Sequence, residues 1–183
     1  MRFDLPSLPA ALWTIGHSTL PIASFVAHLD AHGVRQLADV RRHAGSRRYP
    51  HFNPDALGAS LAAAGVRYVP MPELGGRRKP VAESHNTAWR NDSFRGYADY
   101  METPPFAMAL AQLAALATNQ RTAVMCAEAL WWRCHRGLIA DAFKAAGTLV
   151  WNIEGDGRAR EHPFTGAARI VAGELTYAGL LDT

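Results

Sequence analysis

Only two of the 183 residues are cysteine, and only Lys79 and Lys144 are lysine. Cys126 and Cys134 lie in one short segment, which suits a chemical site better than the disulfide framework of a secreted domain. No apolar run approaches the roughly 20 residues of a membrane span. Met1 to Ala10 carries Asp4 and two prolines where a signal peptide has its apolar core. The expectation is a soluble, cytoplasmic protein with no membrane partner. Charged residues make up 19% of the chain and the net charge is +3, carried on the positive side almost wholly by arginine. Arginine suits planar, bidentate binding of phosphate or carboxylate, although codon bias towards Arg and Ala explains the same composition.

There is also no internal repeat, low-complexity tract or linker, and 49% of positions are hydrophobic. A chain of this length buries roughly 70% of its unfolded surface, enough for one core without a metal or disulfide staple. One domain over residues 1–183 is expected.

Leu12 to Ile15 reads as a buried strand stopped by Gly16-His17-Ser18. A helix follows, capped by Ser18 or Thr19, with Ile22, Phe25, Val26 and Leu29 on one face and Gly33 as its stop. The cycle repeats: a strand over Gln36 to Val40, a polar loop to Phe52, a helix capped by Asn53, then a strand over Arg67 to Met71. A long irregular stretch from Pro72 to about Ser93 precedes a helical pattern broken at Pro104-Pro105. Thr122 to Cys126 and Leu149 to Ile153 are two more strands around a helix placed at Cys134 to Ala146, and the tail from Glu154 should pack along an edge. Strands alternating with helices predict an α/β fold, a mostly parallel five-stranded sheet with helices on both faces.

In such sheets ligands bind beyond the carboxyl ends of the strands, so the strand-end residues are the candidates for chemistry. They include His17 and Ser18, Asp39 with Arg41, Arg42 and Arg47, Gly75 and Gly76, and Asn152 with Glu154. The densest set follows the fourth strand: Cys126, Glu128, Arg133, Cys134, His135 and Arg136. A helix N-terminus there attracts anions and lowers the pKa of a nearby thiol. Cys126, Glu128, His17 and His135 are the expected catalytic residues. Ser18, Asp39, Arg41, Arg42, Arg47, Arg133, Arg136, Gly75 and Gly76 are expected to bind an anion. Tyr49 and Phe52 among the arginines favour a nucleotide or nucleic acid, because rings stack on bases while cations neutralise phosphate. Trp131 and Trp132 are either a stacking surface or hydrophobic cover.

No cofactor is expected. The alternative is zinc or iron held by Cys126, Cys134 and His135, with or without His17. Against it, Cys134 and His135 as neighbours within one helix would point in different directions, and their spacing matches no common zinc pattern.

As an ordered set these segments resemble the domain-of-unknown-function 488 family. The matching marks are Thr14-Ile15-Gly16-His17-Ser18, then Asp39-Val40-Arg41 with Ser46 and Pro50, Phe52 and Asn53. Leu74-Gly75-Gly76, Phe94 with Tyr97, Cys126-Ala127-Glu128 and Cys134-His135-Arg136 follow, before a terminal Gly155-Asp156-Gly157 and His162. The resemblance covers nearly the whole chain and implies no particular reaction. Where it leads one to expect a histidine in the fifth strand, this chain has Asn152, so that role is absent or passes to His162. The expectation is a hydrolase or transferase acting on a phosphate-bearing substrate. A non-catalytic module for nucleic acid or an anionic metabolite, and a thiol redox or metal-binding protein, are the alternatives.

Overall fold

Apolar residues occupy both faces of the inner strands, as a parallel sheet requires when helices cover each side. The computed structural model describes residues 1–179. The elements run β1 (Ala11–Gly16), α1 (Ile22–Ala31), β2 (Gln36–Asp39), α2 (Pro54–Ala63), β3 (Arg67–Pro70), α3 (Asp92–Met101) and α4 (Pro104–Asn119). They continue β4 (Thr122–Cys126), α5 (Arg136–Ala145), β5 (Leu149–Ile153), β6 (Ala159–Glu161), β7 (Arg169–Val171) and β8 (Glu174–Thr176).

Side chains alternate across a strand, and the alternation sorts the core into two layers. Ile15, Leu37, Ala123 and Met125 pack with Phe25 and Leu29 of α1 and Leu57 and Leu61 of α2. Leu12, Ala38, Val124, Cys126 and Val150 face the other way, against Tyr97 of α3, Leu110 and Leu113 of α4, and Leu138 and Phe143 of α5. The result is the expected single α/β domain with helices on both faces.

The sheet order is β3-β2-β4-β1-β5-β6, with β1 to β5 parallel. The sheet has one strand more than the five expected from sequence. The tail folds back, and β6 pairs antiparallel with β5 at the edge. β7 and β8 form a separate hairpin.

Three local departures bear on the site. The start of α1 has no side-chain cap, and Ser18 instead takes a left-handed backbone at φ 45°. Asn53 stands at the start of α2 without capping it; its Oδ1 accepts the Ser46 N–H at 2.6 Å, pinning the loop after β2. Finally, α5 begins at Arg136, not Cys134. Cys134 is extended (φ −132°, ψ 142°) while His135 is already helical (φ −57°, ψ −21°), so the backbone turns between them.

Candidate active site

The parallel sheet sends the ends of β1, β2 and β4 to one edge, and their loops enclose a crevice of about 710 Å³. His17 and Ser18 enter from β1, residues Arg41 to Ser46 and Tyr49 from β2, and Gly76 and Arg77 from beyond β3. The segment between β4 and α5 contributes Cys126 to Ala129 and Arg133 to His135, and the head of α3 contributes Asn91, Ser93 and Phe94. β5 sends nothing into it, so the strand ends converge less completely than the sequence suggested.

One wall is a hydrogen-bonded frame. Arg41 grips Asp39 through Nε to Oδ1 at 2.8 Å and Nη2 to Oδ2 at 2.6 Å, and Nη2 also donates to the Phe52 carbonyl at 2.9 Å. The Tyr68 hydroxyl donates to Asp39 Oδ2 at 2.7 Å. Arg41 Nη1 lies 3.3 Å from His17 Nε2, while His17 Nδ1 donates to the Ser18 carbonyl at 3.0 Å. Both nitrogens of His17 are thereby engaged, and its ring stacks on Phe52 at 4.1 Å between centroids. Burial, then the adjacent Arg41 charge, lowers the His17 pKa to about 4. His17 is a neutral, fixed part of the wall and does not supply the near-neutral titration expected of a catalytic histidine. Asp39 stands behind Arg41 and lines no part of the crevice.

The adjoining corner holds the thiols. His135 Nε2 donates to the Val40 carbonyl at 3.2 Å, which turns Nδ1 towards Cys126 Sγ at 3.9 Å and Cys134 Sγ at 3.7 Å. The Cys134 thiol beside it holds the Cys126 pKa well below its usual value in spite of burial; His135 and the Glu128 backbone N–H add to this. Burial and the neighbouring Cys126 sulfur push Cys134 up. A Cβ on Gly76 would stand 2.8 Å from His135 Nδ1, so this glycine permits the loop after β3 to lie against the imidazole.

A family model described as Domain of unknown function DUF488 matches residues 21–143. The chain belongs to this family. The DUF488 match takes in Asp39, Arg41, Glu128 and the Cys126, Cys134 and His135 corner, and leaves His17, Asn152 and His162 outside. No curated protein and no solved structure matches the chain.

The arginines of this DUF488 chain separate into two kinds. Arg136 is 1% exposed, and its Nη1 and Nη2 donate to the carbonyls of Glu128 and Ala129, so it shapes the loop and offers nothing to an anion. Arg47 stands exposed outside the crevice. Arg42, Arg77 and Arg133 line it, and Arg77 and Arg133 have no side-chain hydrogen-bond partner among the described residues. Arg77 is not among the anion-binding residues expected from sequence, although it belongs to the same Gly75 to Lys79 cluster as the two glycines. Gly75 lines no part of the crevice and instead lets the chain pass Arg42, whose Cβ would lie 2.6 Å from an added Cβ. Phe52 is buried beneath His17, while Tyr49 and Phe94 supply the aromatic walls. Trp131 packs edge-on against His162 as cover, and neither Trp131 nor Trp132 lines the crevice. Asn152 and His162 are buried elsewhere: Thr14 donates to Asn152, Asn152 to His162 Nδ1 at 3.0 Å, and His162 Nε2 to Asp141 at 3.0 Å.

Proposed function

We propose that the crevice is the active site of an enzyme, a hydrolase or transferase, acting on a phosphate-bearing substrate such as a nucleotide or nucleic acid. The observation that carries this reading is the pairing of uncommitted cations with reactive groups in one cleft. Arg77 and Arg133 have no side-chain hydrogen-bond partner among the described residues, and they share the crevice with Cys126, Glu128 and His135. Arginines that bind nothing inside the protein are free to grip phosphate oxygens bidentately. Tyr49 and Phe94 can take a base or another planar group between aromatic walls. Glu128 is the only carboxylate among the lining residues, and its Oε1 accepts the Leu130 N–H at 3.2 Å, leaving Oε2 for proton transfer.

The test pairs binding with turnover. Arg77→Ala and Arg133→Ala should each weaken nucleotide binding by about tenfold or more, as expected for a lost bond to a charged group. Glu128→Gln should lower turnover by about a hundredfold or more with affinity little changed. If the arginine variants lose affinity but no nucleotide or nucleic acid is ever converted, the protein is the binding module. If neither affinity nor turnover depends on these residues, the reading is wrong. Both cysteines are unbridged, which suits a reducing compartment, and on that ground we assign the protein to the cytoplasm.

A further inference from the structure

We propose that Cys126, Cys134 and His135 together bind one zinc ion, with a remaining coordination position open to the crevice. This names a cofactor for the site above. It rests on that reading only for what the ion would do, and not for its binding.

The geometry is the first ground. Cys126 Sγ, Cys134 Sγ and one ring nitrogen of His135 all lie within 4.8 Å of one another. Zinc bonds of about 2.3 Å to sulfur and about 2.0 to 2.1 Å to nitrogen, set at tetrahedral angles, place sulfur and nitrogen about 3.6 Å apart. The observed separations from Nδ1, 3.9 and 3.7 Å, are within a few tenths of an ångström of that. The objection raised by sequence adjacency falls, because Cys134 is extended and α5 starts only at Arg136.

The surroundings are the second ground. A zinc-bound histidine nearly always donates its other ring N–H to a carbonyl or carboxylate, which fixes the tautomer and the aim of the ring. Here His135 Nε2 donates to Val40, and Gly76 closes on the imidazole. Arg136 itself is a buried cation with no carboxylate partner among the described residues. A buried cationic neighbour suits two charged sulfurs held together around a dication.

The third ground is access. Cys126, Cys134 and His135 all line the crevice, so three protein ligands leave a face towards it. Catalytic zinc sites have this form, three ligands and a position for water or a substrate oxygen, whereas structural sites are closed by a fourth. Glu128, on the same wall, is the residue placed to accept a proton from such a water.

Cobalt is the probe. The whole chain, freed of metal by chelation, should take up one equivalent of Co²⁺ with a sulfur-to-cobalt charge-transfer band and tetrahedral visible bands, all removed by one equivalent of Zn²⁺. Cys126→Ser and Cys134→Ser should each weaken the band and cut zinc affinity by about a hundredfold or more, at least matching what loss of an outer partner costs. Because either variant can fail to fold, alkylation of the unmutated chain is the second measurement: zinc should protect both thiols from iodoacetamide. Cobalt binding without a thiolate band, or thiols alkylated equally fast with and without zinc, overturns the proposal. A chain that binds cobalt in this way but no nucleotide keeps this inference and discards the proposed substrate; the reverse result does the opposite.

Discussion

Asp39 shows how a residue can matter to a site it never reaches. Its two oxygens receive the Arg41 guanidinium, the Arg41 backbone N–H and the Tyr68 hydroxyl, and through Arg41 it fixes His17. Removing it strands a buried cation, so Asp39→Ala should destabilise the fold by about 3 to 5 kcal/mol, read as a lower urea midpoint. Asp39→Asn keeps the shape without the charge and should fall between that variant and the native chain. A merely solvated basic loop predicts no difference among the three. A pairing of Asp39 with either Arg41 or an arginine from the loop after β4 was legible in the sequence, and the structure takes the first. The division of labour among the arginines was not. A guanidinium on Arg136 and one on Arg133 look alike until the carbonyls of Glu128 and Ala129 are found to occupy the first.

Among elements, the alternation of apolar strands with amphipathic helices made β1 to β5 and α1 to α4 readable, since period and length both follow from burial. What escaped were the short, polar pieces whose pairing is set by turns. Asp156-Gly157 and Ala172-Gly173 carry the reversals before β6 and β8, with left-handed φ at Gly157, Ala172 and Gly173. The start of α5 was misplaced for a related reason: Cys134 has no propensity that forbids a helix, and its extended backbone is a tertiary outcome. The long stretch between β3 and α3 is likewise ordered by contacts at a distance. Asp99 on α3 accepts from Ser84 Oγ at 2.6 Å, Asn86 Nδ2 at 2.9 Å and the Val81 N–H at 2.9 Å.

Partial burial alone would raise the Asp99 pKa; the bonds from Asn86, Ser84 and Val81 outweigh it and hold the carboxyl below the usual aspartate value. A carboxyl whose folded pKa is depressed contributes stability that is fully present above the unfolded value and lost as pH falls through the folded one. The urea midpoint of the native chain should therefore exceed that of Asp99→Asn near neutrality, with the gap narrowing as the pH drops below about 4. A gap that stays constant down to pH 2 would mean that the carboxylate does not hold this loop.

Across the whole molecule, the sheet order decides where chemistry can gather. β4 lies between β2 and β1, which brings the Cys126 corner alongside both His17 and Arg41. Sequence reasoning placed these groups at one edge from the parallel connections alone, without the order of strands. It overreached in including β5, whose Asn152 turns into the interior, and in counting Asp39, Arg47, Gly75 and Arg136 among the groups that reach the crevice.

That order also dictates when the crevice can come into being. β1 and β2 are made early yet do not pair with each other, and the strand that joins them begins at Thr122. A nascent chain that has not grown past this point carries three open inner strand edges, both of β1 and one of β2, which are templates for pairing between copies. A fragment ending at Arg121 should therefore aggregate when expressed alone. In refolding of the whole chain, nucleotide or cobalt binding should return no earlier than the last major phase.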